Sequence, residues 1–339
     1  MLLSVRVFSV VTAAILLLAV VTAGCVVTQP FVQPVVSQPP AVDPARLQAH
    51  VKHLSVDLYP RSHDQLRNLD LAADYIHQEF KASGGTVSVQ DVVVQGVKYK
   101  NIVARYGPAS GPLLVIGAHY DSHGDTHRGA ASPRGYTPDT HTPGADDNAS
   151  GVAGLIELAH LLGRTPQHRS IELVAYTLEE PPHFRTEHMG SAWHARSLRA
   201  SGRDVELMLS LEMIGTFSDE PGSQHYPVPG MAHLYSNRGN FIALVSKLSD
   251  FGAMRRVKGV MAGATDLPVY SINAPLLIQG IDFSDHMNYW NQGYPAIMVT
   301  DTSFMRNKHY HLASDTHEKL DYQRMAKVVQ GVHAVTQAR

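Results

Sequence analysis

An α/β/α sandwich around a central mixed, mostly parallel sheet is the fold that the sequence predicts. Apolar runs without alternation recur along the chain, as at 113–117 (Leu-Leu-Val-Ile-Gly) and 171–176, and read as strands buried on both faces. Segments with helical periodicity separate them, so the sheet needs cover on both sides. Several runs end in acids and histidines, which suits an open α/β sheet, where ligands gather beyond the carboxyl ends of the strands.

In chain order, Asp43-Pro44 reads as an N-cap followed by proline at the first helical position, opening a helix toward Leu54. Residues 64–82 place Leu66, Leu69, Leu71, Ala72, Tyr75 and Phe80 at helical spacing, and Gly84-Gly85 stops the helix. Residues 86–94 alternate as a strand, with a hairpin partner at 98–106 reached through a turn at Gly96. After the strand at 113–117 come a helix over 150–162, a strand at 171–176, a helix over 189–200 and a strand at 205–211. Residues 241–248 read as a helix, 274–278 and 296–300 as strands, and 321–335 as the closing helix.

On length alone, 339 residues allow about two domains. Hydrophobic residues make up 44%, enough for a large core, and charged residues only 17%, too few for a disordered or coiled-coil chain. With 28 Lys and Arg against 30 Asp and Glu, nothing draws the chain electrostatically to nucleic acid. The single cysteine excludes an intramolecular disulfide and a thiolate zinc cluster, whereas 20 histidines leave open a metal site of nitrogen and oxygen donors.

The N-terminal 24 residues follow a different logic. Arg6 is their only charged side chain, residues 7–21 are apolar apart from Ser9 and Thr12, and small residues precede Cys25, the pattern of a secretory signal. Thr22-Ala23-Gly24-Cys25 resembles the lipobox of bacterial lipoproteins, which implies export and a lipid on Cys25 that holds the protein to a bacterial membrane, periplasmic or at the cell surface. An uncleaved signal anchor and an ordinary secretory signal are the alternatives. Prolines 30, 34, 39, 40 and 44 read as an extended tether. The expected organisation is a signal over 1–24, a tether over 25–44 and one domain over 45–339.

The strand ends carry His119-Tyr120-Asp121, Glu179-Glu180 and Glu212. Asp146-Asp147-Asn148 precedes a helix, and Ser284-Asp285-His286 and Tyr310-His311 follow nearer the C-terminus, with Asp315 close behind. Each alone has a plain reading: an Asp before a helix caps it, and a lone His is a hydrogen-bonded structural residue. Glu179-Glu180 follows an apolar strand and precedes Pro181-Pro182, so it is no exposed helix face. Together the carboxylates would raise one another's pKa, a cost that a divalent cation removes.

The segments His119-x-Asp121, Asp146-Asp147-Asn148-x-x-Gly151, Glu179-Glu180 and Tyr310-His311 resemble, in order and spacing, the co-catalytic zinc aminopeptidases of the bacterial leucyl aminopeptidase and aminopeptidase Y type, metallopeptidase family twenty-eight. The resemblance spans roughly 113–335. It implies two Zn2+, with Co2+ or Mn2+ also suited to such donors, and peptide substrates trimmed from the N-terminus. It implies that His119 and Glu212 bind one metal, that Glu180 and His311 bind the other, and that Asp146 bridges them. Asp121 would accept the ring N–H of His119 and fix its tautomer, Glu179 would be the general base, and the Asp146–Asp147 peptide would be cis. Glu212 departs from the Asp of the best-known members; its extra methylene bears on the first metal and on the pocket for the substrate's amino group.

Asp285, His286 and Tyr310 are candidates for contacting substrate or supporting the ligands. Residues 122–143, with His123, His127 and His141, join two ligand-bearing segments and read either as a lid or as a surface loop. Competing readings are a glutaminyl-cyclase-like transferase, a glutamate-type carboxypeptidase using arginines such as Arg185 and Arg306, and a tethered binding protein without catalysis.

Overall fold

The computed structural model describes residues 12, 22, 24–124 and 141–338. The signal, apart from three residues, and 125–140 of the expected lid, with His127, lie outside them. Eight strands form one sheet: β1 (Thr86–Val94), β2 (Val97–Tyr106), β3 (Leu113–His119), β4 (Ser170–Tyr176), β5 (Val205–Glu212), β6 (Ile242–Lys247), β7 (Val269–Ala274) and β8 (Ala296–Thr300). Their order is β1-β2-β4-β3-β5-β8-β6-β7. The centre, β4-β3-β5-β8, is parallel. An antiparallel hairpin, β1-β2, closes one edge, and β6, antiparallel to β8 and parallel to β7, begins the other.

Every residue of β3, β4 and β8 is buried, which is why these strands read as unbroken apolar runs. One face packs against the helices Pro44–Lys52, Leu66–Ala82, Gly151–Gly163, Phe251–Ala264 and Tyr322–Gln337, and the other against Gly190–Ala200 and the short His286–Asn291. The parallel strands all point the same way, so the loops after β3, β4, β5 and β8 open at one end of the sheet.

Two sequence expectations are corrected at the β7 edge. Residues 241–248 form strand β6 rather than a helix. Five of the six β6 residues are buried, and so short an apolar run has no period that distinguishes the two forms. The strand expected at 274–278 lies instead at Val269–Ala274, after an unanticipated helix, Phe251–Ala264.

The expected tether is a strap fastened to the fold. Gln29 is fully buried; its amide nitrogen donates to Asn273 Oδ1 (2.7 Å) and its oxygen accepts from Ser271 Oγ (2.5 Å) on β7. Lys258 donates to the carbonyls of Thr28 and Gln29, both at 2.9 Å. Further on, Val35 N–H bonds Gly259 O (2.8 Å) and Ser37 N–H bonds Gly263 O (3.1 Å). Gly263 permits this approach, because a Cβ there would lie 2.0 Å from the Val35 carbonyl oxygen. Cys25 O accepts from Gln29 N–H at 3.0 Å, one helical turn from the buried contact. No helix among the described residues is long and apolar enough to cross a membrane.

Candidate metal centre

The loops at the carboxyl end of the parallel strands bring seven acids and histidines together. β3 delivers His119, fully buried at its last position. Glu179 and Glu180 follow β4, Glu212 ends β5, and His311 enters from the loop after β8. Leu178, Met213 and His311 hold φ of 60°, 49° and 55°. Left-handed backbone at non-glycine residues costs of order 1–3 kcal/mol each. It turns the chain sharply beside three of the donor-bearing segments.

Asp147, not Asp146, lies between the two histidines. Its Oδ1 is 3.4 Å from His119 Nε2 and its Oδ2 is 3.1 Å from His311 Nε2. The sequence expectation is therefore off by one residue, both for the carboxylate between the histidines and for the cis peptide, which is Asp147–Asn148. Local geometry is the reason. Gly144 takes the left-handed conformation (φ 58°) and opens a π-helical turn over Ala145–Ser150. That turn sends the Asp146 side chain backward, where it accepts from Gly215 N–H (3.0 Å), Thr216 Oγ1 (2.5 Å) and Asn307 Nδ2 (2.8 Å). Asp315 fixes the turn by accepting from the N–H groups of Asp146 and Asp147 (3.1 and 3.2 Å). Fully buried Arg61 ties both limbs, donating to Tyr120 O (2.9 Å) after β3 and to Gly144 O (3.0 Å) before the turn.

Two donor groups result. His119, Asp147 and Glu212 present ligand atoms within 4.8 Å of one another, and so do His123, Glu180 and His311. Glu212 reaches the cluster despite its longer arm: its Oε2 is 3.4 Å from His119 Nε2 and accepts from Ser284 Oγ at 2.8 Å. Asp121 works differently from expectation. Its carboxylate accepts the backbone N–H groups of Glu179 and Glu180 (3.1 and 3.0 Å), fixing the tandem glutamates. The His119 Nδ1 lies 3.2 Å from the Asp121 carbonyl oxygen and 3.5 Å from its carboxylate.

The electrostatics show a site short of positive charge. Burial pushes Glu179 well above the usual carboxylate range, with Glu212 and Glu180 adding to the rise, and pushes Glu180 to about 7. Burial alone would lower His119 and His311, but neighbouring carboxylates outweigh it: Glu212 and Glu179 raise His119 well above the normal histidine value, and Glu180 and Asp147 raise His311 to about 10. His119 Nε2 and Glu180 Oε1 are buried without hydrogen-bond partners. Orphaned buried atoms of this kind, in a set of imidazoles and carboxylates, fit divalent zinc.

The remaining candidates divide. Tyr310 lines the cleft and stacks on His311, with ring centroids 3.7 Å apart. His286 turns away, its Nε2 2.8 Å from Ile281 O and its ring against Trp290; Asp285 is buried and does not line the cleft. Sequence reasoning missed Ser284 as the partner of Glu212 and His123 as a donor, although the spacing His119-x-Asp121-x-His123 was visible.

The cleft encloses about 250 Å³, with Pro181, Phe184, Gln279, Phe283, Ser303 and Phe304 as its other walls. No lysine or arginine lines it among the described residues. Arg306 is buried elsewhere, donating to Thr216 O and Phe241 O (both 3.0 Å), and Arg185 pairs with Asp282. Phe283 and Phe304 also wall a second, mainly apolar cavity of about 100 Å³ that reaches Tyr226, Tyr270 and Met298.

The model of peptidase family M28 matches residues 101–336. The chain is 52% identical over 304 residues to YfbL, an uncharacterized protein of Escherichia coli K12, covering 90% of this chain and 91% of that one. It is 26% identical to leucine aminopeptidase 1 of Uncinocarpus reesii over 66% of this chain, spanning 51% of that longer protein. Among solved structures, a leucine aminopeptidase precursor of Bacteroides thetaiotaomicron shares the fold with a TM-score of 0.66, at 19% identity and covering 90% of this chain and all of that one. A glutaminyl cyclase of the same organism shares it at 0.63, with 18% identity over 89% of this chain and all of that one.

Proposed function

The chain belongs to peptidase family M28, a family of zinc metallopeptidases, and from that premise we propose that it is an aminopeptidase that holds two zinc ions and removes the N-terminal residue of peptides. The observation that carries this reading is the imbalance of charge in the cleft: four carboxylates, Asp147, Glu179, Glu180 and Glu212, and no lysine or arginine among its described walls. Two zinc ions would balance those carboxylates, and no guanidinium or ammonium group among the described walls is left to receive a substrate's C-terminal carboxylate, which speaks against a carboxypeptidase.

His119, Asp147 and Glu212 would hold one zinc, and Glu180 and His311, with Asp147 shared, the other. Zinc bound there supplies a Lewis acid and lowers the pKa of water to about 7. Glu179 binds no metal in this scheme. Its carboxylate takes the proton of the attacking water and passes it to the departing amine. Asp121 keeps it aimed by holding its backbone N–H. Phe184, Phe283 and Phe304 receive an apolar N-terminal side chain.

The test uses the full chain in detergent with leucyl anilide, free or N-acetylated, with and without chelator. Cleavage of the free amine alone, lost on chelation and restored by zinc, is expected. Equal cleavage of the blocked substrate overturns the aminopeptidase reading, and cyclisation of N-terminal glutamine without peptide cleavage would make it a transferase.

We also propose that the protein is exported and lipid-anchored at Cys25, supported by the apolar run that ends there. Cys25→Ser should then move it from the bacterial membrane fraction to the soluble fraction.

A further inference from the structure

The two donor groups are unequal. Asp147 reaches both histidines, so it counts on each side. Among the described residues the first group then has three protein donors, His119, Asp147 and Glu212. The second has His123, Glu180 and His311, and Asp147 joins it as a fourth through its 3.1 Å contact with His311 Nε2. We propose that His123 is a ligand of the second metal, which the protein alone closes to four coordination, so that the open coordination position belongs to the first metal. This rests on the two-metal reading given above.

The placement of His123 supports the assignment. It is 1% exposed, it lines the cleft, and its ring centroid lies 3.9 Å from that of His311 at an angle of 37°. Its backbone is fixed from both sides: the His123 carbonyl accepts from Thr142 N–H (2.9 Å) and Oγ1 (3.0 Å), and the preceding residue, Ser122, donates its N–H to Arg61 O (3.2 Å). His123 therefore owes its position to the rigid limbs of the loop.

Zinc enclosed by four protein donors is the pattern of structural sites, and zinc with three donors and an open position is that of catalytic ones. The inference divides the two roles between the metals. The second metal organises Glu180, Asp147 and His311 and exchanges slowly; the first meets water and substrate.

The test is a Co2+ titration of the metal-free full chain in detergent, followed by visible absorption and by chelator competition. Wild type should bind two equivalents, one with the intense absorption of a four-coordinate site and the greater resistance to chelator. His123→Ala should weaken that site by more than the roughly 10–100-fold that loss of an outer partner costs, and should reduce its absorption, with the other site unchanged. His123→Asp, which restores a ligand, should recover affinity, whereas His123→Leu, which restores only bulk, should not. Two sites with unchanged affinities and spectra in His123→Ala overturn the proposal, whatever happens to turnover. Recovery by Leu and not by Asp also overturns it, by making the role one of packing. Wild type binding a single equivalent would sink the two-metal reading itself, which distinguishes that failure from this one.

Discussion

Two nests of buried acid lie back to back across the Asp146–Asp147 bond, and they are stabilised by opposite means. Behind the sheet end, Asp146, Asp301 and Asp315 are supplied with donors. Asp146 accepts from Gly215, Thr216 and Asn307, Asp301 from the N–H groups of Thr216 (2.7 Å) and Ser303 (3.0 Å), and Asp315 from those of Asp146 and Asp147. Burial and the Asp146 carboxylate push Asp301 well above the carboxylate range. In front, Asp147, Glu179, Glu180 and Glu212 face three imidazoles, His119, His123 and His311, and few other donors. Burial does not mark a metal ligand, since both nests are buried. The shortage of donor hydrogens does.

The largest effect should come from reversing the two neighbours. Asp147→Asn should abolish binding of both metals and all turnover, whereas Asp146→Asn should keep both metals; metal analysis after gel filtration checks both. Loss of metal in Asp146→Asn alone would invert the assignment. Next, Glu179→Gln should lower kcat by roughly 10²–10⁴-fold with metal content intact, measured on leucyl anilide. Metal loss would make Glu179 a ligand.

A smaller effect separates the rear nest. Asp146→Asn should cost about 1–3 kcal/mol of stability, because the amide cannot accept from all its present donors; urea unfolding reads it. Last comes acid pH, which tests a third arrangement, acids paired with cations. Burial raises Glu172, but His194 and Arg105 outweigh it and hold the carboxyl at about 2; His50 and Arg46 do the same for Glu157. The native state therefore binds fewer protons than the unfolded one between about pH 4.5 and 2. Stability is full above that window and is lost as pH falls through it. Glu172→Gln should flatten the acid limb of a melting-temperature profile on the metal-free protein, and an unchanged limb would remove Glu172 from the account.

Much of this was legible in the sequence for a physical reason. Strands buried on both faces show as unbroken apolar runs, so β3, β4, β5 and β8 could be placed within a residue or two, and with them the ends that carry His119, Glu179, Glu180 and Glu212. What was hidden depends on backbone direction. Of two adjacent aspartates only one can face the cleft, and the left-handed Gly144 with its π-helical turn decides which. Nothing in Asp-Asp-Asn reveals that choice. His123 was hidden because it starts a long loop, and its rigidity comes from Arg61, some 60 residues away, and Thr142. Strand β6 was hidden because a short buried run carries no period.

The strap at the β7 edge changes how far the catalytic body can wander from Cys25. Twenty flexible residues would give a leash with a root-mean-square reach of about 25 Å. Here the slack is one helical turn, roughly 5 Å, because Gln29 is locked to Ser271 and Asn273 and its N–H holds the Cys25 carbonyl. Whatever is joined to Cys25 is thus keyed to one edge of the sheet. The cleft keeps a fixed bearing relative to it, as a tool does in a handle and a weight on a string does not.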